Sequence, residues 1–129
     1  MAVFKSGEDY LEAILRLQEK KDGVHAIDVV NLLGFSKPSV SIALKKLKDE
    51  GYITIDDNSH LNLTADGLKI AEAIYERHKT ITELFVNMGI SADVAEDDAC
   101  KIEHDISLET FNAIKKYNDI LKNSPHKAN

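Results

Sequence analysis

Two short apolar segments separated by a tight turn constrain the fold of this chain more than any other feature of its sequence. The first, residues 26–34, ends in glycine; the second, residues 36–51, begins with Ser-Lys-Pro-Ser and also ends in glycine. Serine caps helix N-termini, proline is tolerated in the first turn, and glycine is typical just after a helix. The pattern predicts two helices joined by a tight turn, a helix-turn-helix.

The residues that flank this pair predict the remaining parts of a winged helix-turn-helix. Residues 8–21 have apolar side chains at helical spacing, and Ser6 is the predicted N-cap of that helix. Residues 52–55 and 61–64 are rich in β-formers and flank a polar tip that includes His60. We expect these two segments to pair as a hairpin, which is the wing.

A long amphipathic helix is predicted over residues 64–88, until Gly89. Two further helices follow it, before a tail at residues 124–129 that is expected to fray. The predicted fold is mainly α: a winged helix-turn-helix with a small β-hairpin wing over residues 1–74, then a helical domain over residues 75–129. Because the second domain is small, we expect it to bury its core by dimerisation. The apolar stripe of the long helix comprises Leu68, Ala71, Ile74, Tyr75, His78, Ile81, Phe85 and Met88.

The positive charge is concentrated on one predicted helix. The chain has 16 Lys and Arg against 22 Asp and Glu, a formal net charge of −6, which excludes a polycation that coats nucleic acid. Residues 36–48 nevertheless hold four lysines and no acid. Lysines alone favour a solvated surface helix, but the turn, the hairpin and this charge asymmetry together favour contact with double-stranded DNA. The predicted DNA-contacting residues are Ser36, Lys37, Pro38, Ser39, Ser41, Lys45, Lys46 and His60.

The composition excludes several other classes of protein. With 43% hydrophobic and 29% charged residues, the chain is neither disordered nor collagen-like. One cysteine cannot form an internal disulfide, no apolar run reaches the roughly 20 residues that span a bilayer, and the N-terminus lacks the apolar segment of a signal peptide. We therefore expect a cytoplasmic protein with no membrane partner.

A second constellation lies in the acidic part of the chain. Residues 91–110 contain seven acids and one lysine. Within them Cys100, Glu103 and His104 are spaced i, i+3 and i+4, which places their side chains on one face of a predicted helix. Such a cluster suits a cation: carboxylate and imidazole favour Mn²⁺ or Fe²⁺, whereas a thiolate favours Fe²⁺, Co²⁺ or Zn²⁺.

Three residues elsewhere are further candidate ligands. Asp9 and Glu12 are spaced i, i+3 on the first helix, and His78 lies on the stripe of the long helix. Each has a structural alternative. The two carboxylates can complement the helix dipole, His78 can be a hydrogen-bonded core histidine, and Cys100 can be a small buried apolar residue.

The motifs together resemble the metal-dependent transcriptional repressors typified by the diphtheria toxin repressor and the manganese transport regulator, over residues 6–118. The resemblance implies a homodimer that binds a palindromic operator when Mn²⁺ or Fe²⁺, one or two ions per chain, occupies sites between the first, long and acidic helices. Genes for metal uptake are the usual targets. The motifs are Glu8-Asp9-Tyr10-Leu11-Glu12, Ser36-x-Pro-Ser-Val-Ser, Leu63-Thr-x-x-Gly67, Arg77-His78 and Asp98-Ala-Cys-x-x-Glu-His104.

The chain also departs from the pattern of this family. Manganese sensors commonly have a carboxylate at the position of Cys100, whereas iron sensors have cysteine there and methionine at the position of Asp9. The chain resembles the short form without an SH3-like third domain. Ile42 replaces a residue that is polar in some relatives, and the wing tip carries Asp56 and Asp57. The ligands implied by position are Asp9, Glu12, His78, Glu103 and His104, with Cys100 as the departure.

Two alternatives to a metal-activated repressor stay open at this point. One is a winged-helix regulator that responds to an organic ligand or to none. The other is an enzyme in which Cys100 is a thiol nucleophile and His104 its base. The surrounding carboxylates oppose thiolate formation, and no segment forms an oxyanion hole, so no catalytic residue, no enzymatic activity and no small organic substrate are expected.

Overall fold

Six α-helices and one two-stranded antiparallel sheet form residues 5–123, the part that the structure, a computed structural model, describes; side chains are described from residue 7 onward. The tail predicted to fray lies outside these residues. The predicted fold, mainly α with a winged helix-turn-helix and a two-stranded wing, is confirmed. The elements are α1 (Lys5–Gln18), α2 (Ala26–Leu33), α3 (Lys37–Asp49), β1 (Ile53–Ile55), β2 (Leu61–Leu63), α4 (Ala65–Asn87), α5 (Ala92–Ile102) and α6 (Leu108–Lys122).

The chain divides within α4 into two compact units, Met1–Ala73 and Ile74–Asn129. No single helix of residues 5–123 is long and apolar enough to cross a membrane. The helices α2 and α3 pass that test of length and composition only as a pair, and they are bent by 120° relative to each other.

The turn between α2 and α3 forms from the signals that predicted it. Gly34 adopts a left-handed backbone conformation with φ 75°, and its N–H donates to the carbonyl oxygen of Val30 at 2.8 Å. This conformation is one that glycine adopts without steric cost. Two residues later Ser36 caps α3, because its Oγ accepts a hydrogen bond from the N–H of Ser39 at 3.2 Å. Pro38 lies in the first turn of α3, as predicted.

The core of the first unit is built mainly from α1, α2, α3 and the wing. In α3 the buried positions recur at helical spacing, and in the wing Ile53 pairs with Leu63 while Ile55 pairs with Leu61. The N–H of Leu61 also donates to the carbonyl oxygen of Val24 at 2.7 Å, which attaches the wing to the segment before α2. The fully buried large apolar side chains of this core are Leu11, Ile14, Val24, Val29, Val40, Leu47 and Ile53.

The bounds of α1 differ from the prediction. The helix begins at Lys5, so Ser6 lies inside it and is not its N-cap, and it ends at Gln18 rather than near Lys21. The exposed residues 18–22 bury no apolar side chain that would favour a longer helix, and Gly23 follows with φ 73°.

The start of α4 is fixed against the wing. The Oγ1 of Thr64 accepts from the N–H of Gly67 at 3.2 Å and donates to the carbonyl oxygen of Gly51 at 2.7 Å. Gly67 itself lies so close to the carbonyl oxygen of Tyr52 that a Cβ would overlap it. The glycine is therefore required by close approach of two backbone segments, not by its dihedral angles.

The predicted stripe of α4 is correct in the middle and wrong at the ends. Ala71, Ile74, His78 and Ile81 are buried. Leu68, in the first turn, and Met88, beyond the last helical residue, are exposed. Leu84, which was not predicted, is buried instead. The periodicity identifies the face of the helix but not how far the core extends along it.

In the second unit, polar contacts fasten α6 to α4. The Nδ2 of Asn118 donates to Glu83 at 2.7 Å, and the Nζ of Lys115 donates to Glu76 at 2.6 Å. The cap of α6 is Ser107, whose Oγ accepts from the N–H of Thr110 at 3.1 Å. These contacts hold α6 against α4. The helix α5 and the turn after it carry most of the acidic residues of segment 91–110.

Candidate nucleic-acid interface and candidate metal centre

The structure exposes the whole predicted DNA-contacting surface of α3. Its apolar side chains Val40, Ala43, Leu44 and Leu47 are buried on the opposite face. A helix held in this way presents one row of polar and cationic side chains to solvent, as a recognition helix requires. The exposed residues of this row are Ser36, Lys37, Pro38, Ser39, Ser41, Lys45 and Lys46.

Some of these side chains already have partners within the helix. The Oγ of Ser36 donates to the Oγ of Ser39 at 2.9 Å, and the Nζ of Lys45 lies 3.0 Å from the carboxylate of Asp49. The lysine and aspartate side chains are 77% and 60% exposed, so this ion pair contributes little to stability. The ammonium of Lys45 can exchange that partner for a DNA phosphate at small cost.

His60 packs against the segment that precedes α2. Its ring lies 4.8 Å from the ring of His25 and packs over Gly23, where an added Cβ would come within 2.7 Å of Nε2. The side chain is 34% exposed. His60 therefore packs the tip end of the wing against the segment before α2, and its contact with DNA stays a prediction.

The wing tip is built around a carboxylate. The Oδ1 of Asp56 accepts hydrogen bonds from the backbone N–H groups of Asn58 and His60, both at 2.9 Å. The N–H of His60 contributes most to lowering the pKa of Asp56 below its ordinary value, although desolvation opposes this shift. The acidic residue at the tip thus has a structural role in closing the hairpin turn.

In the second unit, His78, Cys100 and Glu103 form a cluster of potential metal ligands. One nitrogen, one sulfur and one oxygen from these side chains all lie within 4.8 Å of one another. His78 and Glu103 are buried, whereas Cys100 is exposed. The alternative in which Cys100 is a buried apolar residue is therefore wrong. The donor types suit a divalent transition metal ion.

The prediction that Cys100, Glu103 and His104 share one helical face is wrong. The helix α5 ends at Ile102, Glu103 is its C-cap, and His104 lies in the turn that follows. The N–H of Glu103 still donates to the carbonyl oxygen of Ala99, so Glu103 keeps its place one turn after Cys100. His104 leaves the helix, yet its Nε2 lies 3.4 Å from Oε1 of Glu103.

Glu103 is a fully buried carboxylate between two imidazoles. Burial raises its pKa, but the nearby His104 and His78 lower it by more, so the pKa lies below the ordinary value for a glutamate. Its Oε2 accepts from the Nδ1–H of His78 at 2.9 Å. Its Oε1 is 3.4 Å from His104, which is long for a hydrogen bond, so this buried oxygen retains a lone pair for a ligand.

The tautomer of His78 follows from this contact. An ionised carboxylate only accepts hydrogen bonds, so Nδ1 of His78 carries the proton and, in the neutral imidazole, Nε2 carries the lone pair. That Nε2 lies 3.6 Å from Oε1 of Glu96. A carboxylate that orients a ligating histidine in this way is typical of metal sites in proteins.

Sequence reasoning missed Glu96 as a candidate ligand. It was counted only as one acid among seven, yet its Oε1 lies 3.6 Å from Nε2 of His78. Its spacing to Cys100, i to i+4 on α5, could have identified it, since those two side chains lie one above the other.

Arg77 holds the turn that carries these ligands. Its Nη1 donates to the carbonyl oxygens of Glu103 at 3.1 Å and Ile106 at 2.9 Å, and its guanidinium lies 5.2 Å from the centre of the Phe111 ring. Because Arg77 and His78 are adjacent on α4, the same helix positions the Glu103 backbone and contacts its side chain.

Asp9 and Glu12 belong to the first unit. On α1, Asp9 is half-buried, whereas Glu12 is buried and lies 3.9 Å from the guanidinium of Arg16. Glu12 lies about two turns into α1, beyond the first turn in which a carboxylate complements the helix dipole, so that alternative does not describe it. The role of both carboxylates as metal ligands stays a prediction.

The first unit is a winged helix-turn-helix whose helix α3 is cationic, and the second unit is helical and has a cluster of nitrogen, sulfur and oxygen donors. Together they define a class: winged-helix transcription regulators that have a metal-binding domain.

Two family profiles match the chain. Residues 3–61 match the iron-dependent repressor N-terminal DNA-binding domain, and residues 64–129 match the iron-dependent repressor metal-binding and dimerisation domain. The chain belongs to the iron-dependent repressor family, as its motifs predicted.

Several individual proteins are similar to this chain. The transcriptional regulator MntR of Escherichia coli is 33% identical over 110 residues, which are 85% of this chain and 71% of that protein. An HTH-type transcriptional regulator of Methanocaldococcus jannaschii is 32% identical over 120 residues, 92% of this chain and 96% of that protein. Both relatives are named as regulators of transcription, in agreement with the family.

Solved structures agree with these sequence comparisons. The manganese regulator SloR superimposes with a TM-score of 0.78 at 28% identity, over 98% of this chain and 58% of that one. A manganese-dependent transcriptional repressor in complex with manganese gives 0.81 at 28% identity, over 93% and 56%. The chain thus spans a little over half the length of these solved relatives.

Proposed function

We propose that this protein is a metal-activated, dimeric, DNA-binding transcriptional repressor that responds to Mn²⁺ or Fe²⁺ and controls genes of metal-ion homeostasis in the cytoplasm. The observation that carries the proposal is the buried contact between His78 and Glu103, which lies beside Cys100 in a protein whose other unit is a winged helix-turn-helix. A buried carboxylate that retains a lone pair, next to an imidazole and a thiol, is expensive to maintain without a cation.

The proposed ligands in the second unit are His78, Cys100, Glu103 and His104, with Glu96 as an additional candidate. The nitrogen, sulfur and oxygen donors fit a divalent transition metal ion, and the thiol shifts the preference from Mn²⁺ towards Fe²⁺. Bound there, such an ion supplies positive charge that offsets the surrounding carboxylates. Asp9 and Glu12 are kept in the proposed ligand set because of the family resemblance.

Coupling to DNA requires that the metal distinguish two states of the protein. A ligand shifts an equilibrium only by its differential affinity for the two states. In the proposal, the ligand set named above holds the ion, and the DNA-competent arrangement binds it more tightly. Two divalent ions per chain would also change the formal net charge from −6 to −2, which lessens repulsion from phosphate.

Dimerisation is supported by apolar side chains left exposed in the second unit. A unit of this size buries a limited fraction of its surface, and association with a second copy is the common way to cover such residues. A dimer also presents two copies of α3 to the two halves of a palindromic operator. The exposed apolar residues are Val86, Met88, Val94, Leu108, Tyr117 and Ile120.

An enzymatic role for Cys100 and His104 has less support. Nε2 of His104 lies beside Glu103, and Cys100 belongs to the cluster with His78 and Glu103, so both candidate groups of an enzyme are parts of the proposed metal site. The proposal therefore assigns no catalytic activity and no small organic substrate to this protein.

The test is retention of DNA in a gel-shift assay with and without metal. Duplexes are first selected from a randomised pool, once with Mn²⁺ and once in chelator, and the selected duplexes are then titrated with protein in both conditions. The proposal predicts tight, sequence-dependent retention with Mn²⁺ or Fe²⁺ and its loss in chelator. Equal retention in chelator would favour the winged-helix regulator that needs no metal.

A further inference from the structure

Ile42 is the most exposed large apolar side chain of the described residues, with 72% of its surface accessible. It lies on α3 three residues after Ser39 and three and four residues before Lys45 and Lys46, so these four side chains share one face of the helix. Val40 and Leu47, on the buried side of α3, point away from that face. Ile42 is thus central on the surface that the proposed function directs at DNA.

Neither folding nor helix propensity explains an isoleucine at this position. The side chain has no core to fill, because almost three-quarters of it is exposed. Isoleucine is also a weaker helix former than leucine, lysine or alanine, since its β-branch loses rotamer freedom in a helix. Its neighbours on this face are hydroxyls and ammonium groups, which are suited to phosphate and base edges. An aliphatic group among them is suited to an apolar partner and not to a phosphate.

The major groove offers one apolar group that distinguishes a base, the C5-methyl of thymine. We propose that Ile42 contacts a thymine methyl in each half of the operator and so determines specificity at that position. The inference rests on the proposed function, because it requires that α3 enter the major groove. It goes further by naming the base that this side chain reads.

The experiment removes the methyl group without any other change. Duplexes selected from a randomised pool with Mn²⁺ are resynthesised with deoxyuridine in place of each thymine in turn, and the dissociation constants are measured. The wild-type protein should lose about fourfold in affinity at one thymine per half-site, the effect of one buried methyl group. Elsewhere uracil should be tolerated unless another side chain contacts that methyl.

Variants of Ile42 assign the effect to this side chain. Ile42→Ala should bind the thymine and uracil duplexes equally at that position, whereas Ile42→Val should retain part of the difference. Because the side chain is exposed and alanine favours helices, Ile42→Ala should fold normally. Leu32→Ala is the matched control, since Leu32 is an exposed aliphatic residue of α2, 42% accessible, and should leave the uracil profile unchanged.

The outcomes separate this inference from the proposed function. An unchanged uracil profile in Ile42→Ala overturns the assignment and leaves metal-activated DNA binding intact. Selection that succeeds equally in chelator contradicts metal activation, while the uracil test still decides the role of Ile42. Failure to select any duplex, with or without Mn²⁺, overturns both. An altered association state of Ile42→Ala without DNA makes Ile42 a protein contact and also overturns the assignment.

Discussion

Arg77 donates a hydrogen bond from its guanidinium to the backbone carbonyl oxygen of Glu103, at 3.1 Å. The same Nη1 reaches the carbonyl of Ile106, so one side chain of α4 fixes the turn between α5 and α6. Since Glu103 is also bonded through its carboxylate to His78, its backbone and side chain are held by consecutive residues of one helix. The cluster is therefore positioned before any ligand binds.

Replacing Arg77 with lysine should weaken metal binding, although no candidate ligand residue is changed. Lysine cannot reproduce the contacts of a planar guanidinium with two carbonyls and an aromatic ring. Loss of a group that orients metal ligands typically lowers affinity about 10-fold to 100-fold. Titration calorimetry with Mn²⁺ measures the change, and Lys79→Ala, an exposed neighbour on α4, is the control. Wild-type affinity in Arg77→Lys would show that the turn needs no such support.

Replacing Glu103 with glutamine should abolish the response to metal. Glutamine keeps the size of the side chain but removes the negative charge that faces His78 and His104. We expect Mn²⁺ affinity to fall by about 100-fold or more, since a ligand is lost rather than a group behind it. Retention of DNA in a gel shift should then be the same with metal and chelator. Glu109→Gln, an exposed acid in the first turn of α6, should respond as the wild type does.

Replacing Gly67 with alanine should destabilise the first unit strongly. The added Cβ overlaps the carbonyl oxygen of Tyr52, and neither backbone can move away cheaply. We expect a loss of about 3 kcal/mol or more in the free energy of unfolding. Gly34→Ala, where only the positive φ is strained and no atom lies within 4 Å, should cost about 1–2 kcal/mol. Urea unfolding measures both; equal losses would contradict the close approach at Gly67.

Asp28 should make the start of α2 sensitive to acid. Its carboxylate accepts from the N–H of His25 at 2.8 Å and from Lys21 at 3.0 Å, and these contacts lower its pKa below the ordinary 3.8. A lowered pKa in the folded state means that the stabilisation is complete above pH 3.8 and is lost as the pH falls through the folded value. At neutral pH the contribution is about 0.5–1 kcal/mol.

The measurement is the difference in unfolding free energy between wild type and Asp28→Asn, from urea titrations at neutral pH and at pH values down to about 3. The wild type should be more stable at neutral pH, and the difference should shrink towards the acid end. Asp22→Asn, at an exposed position of the preceding segment, is the control. A difference that stays constant with pH would mean that the charge of Asp28 contributes nothing.

Local signals were sufficient to predict the helix-turn-helix. The glycine at position 34 and the cap at Ser36 act within one turn of the chain, so their spacing in the sequence is their spacing in the structure. The predicted start of α1 was wrong. Ser6 is a good N-cap by residue type, but it lies within the helix, which begins at Lys5. Composition alone does not show which candidate cap is used.

The cluster of candidate metal ligands was predicted in its residue types but not in its geometry. The end of α5 at Ile102 coincides with the turn that Arg77 holds from a different helix, and that contact has no signal in the local sequence. For the same reason the contact between His78 and Glu96 was missed, since it joins residues of α4 and α5. Residue chemistry identified the candidate donors, and tertiary contacts decide which atoms face one another.

The decisive measurement for metal binding is anomalous diffraction at the manganese and iron edges, from crystals grown with each ion and without chelator. We expect a peak within bonding distance of the carboxylate of Glu103 and of nitrogen or sulfur atoms of His78, Cys100 or His104. Crystals that also contain the operator DNA bound to the protein, but show no anomalous peak at these side chains, would contradict metal activation.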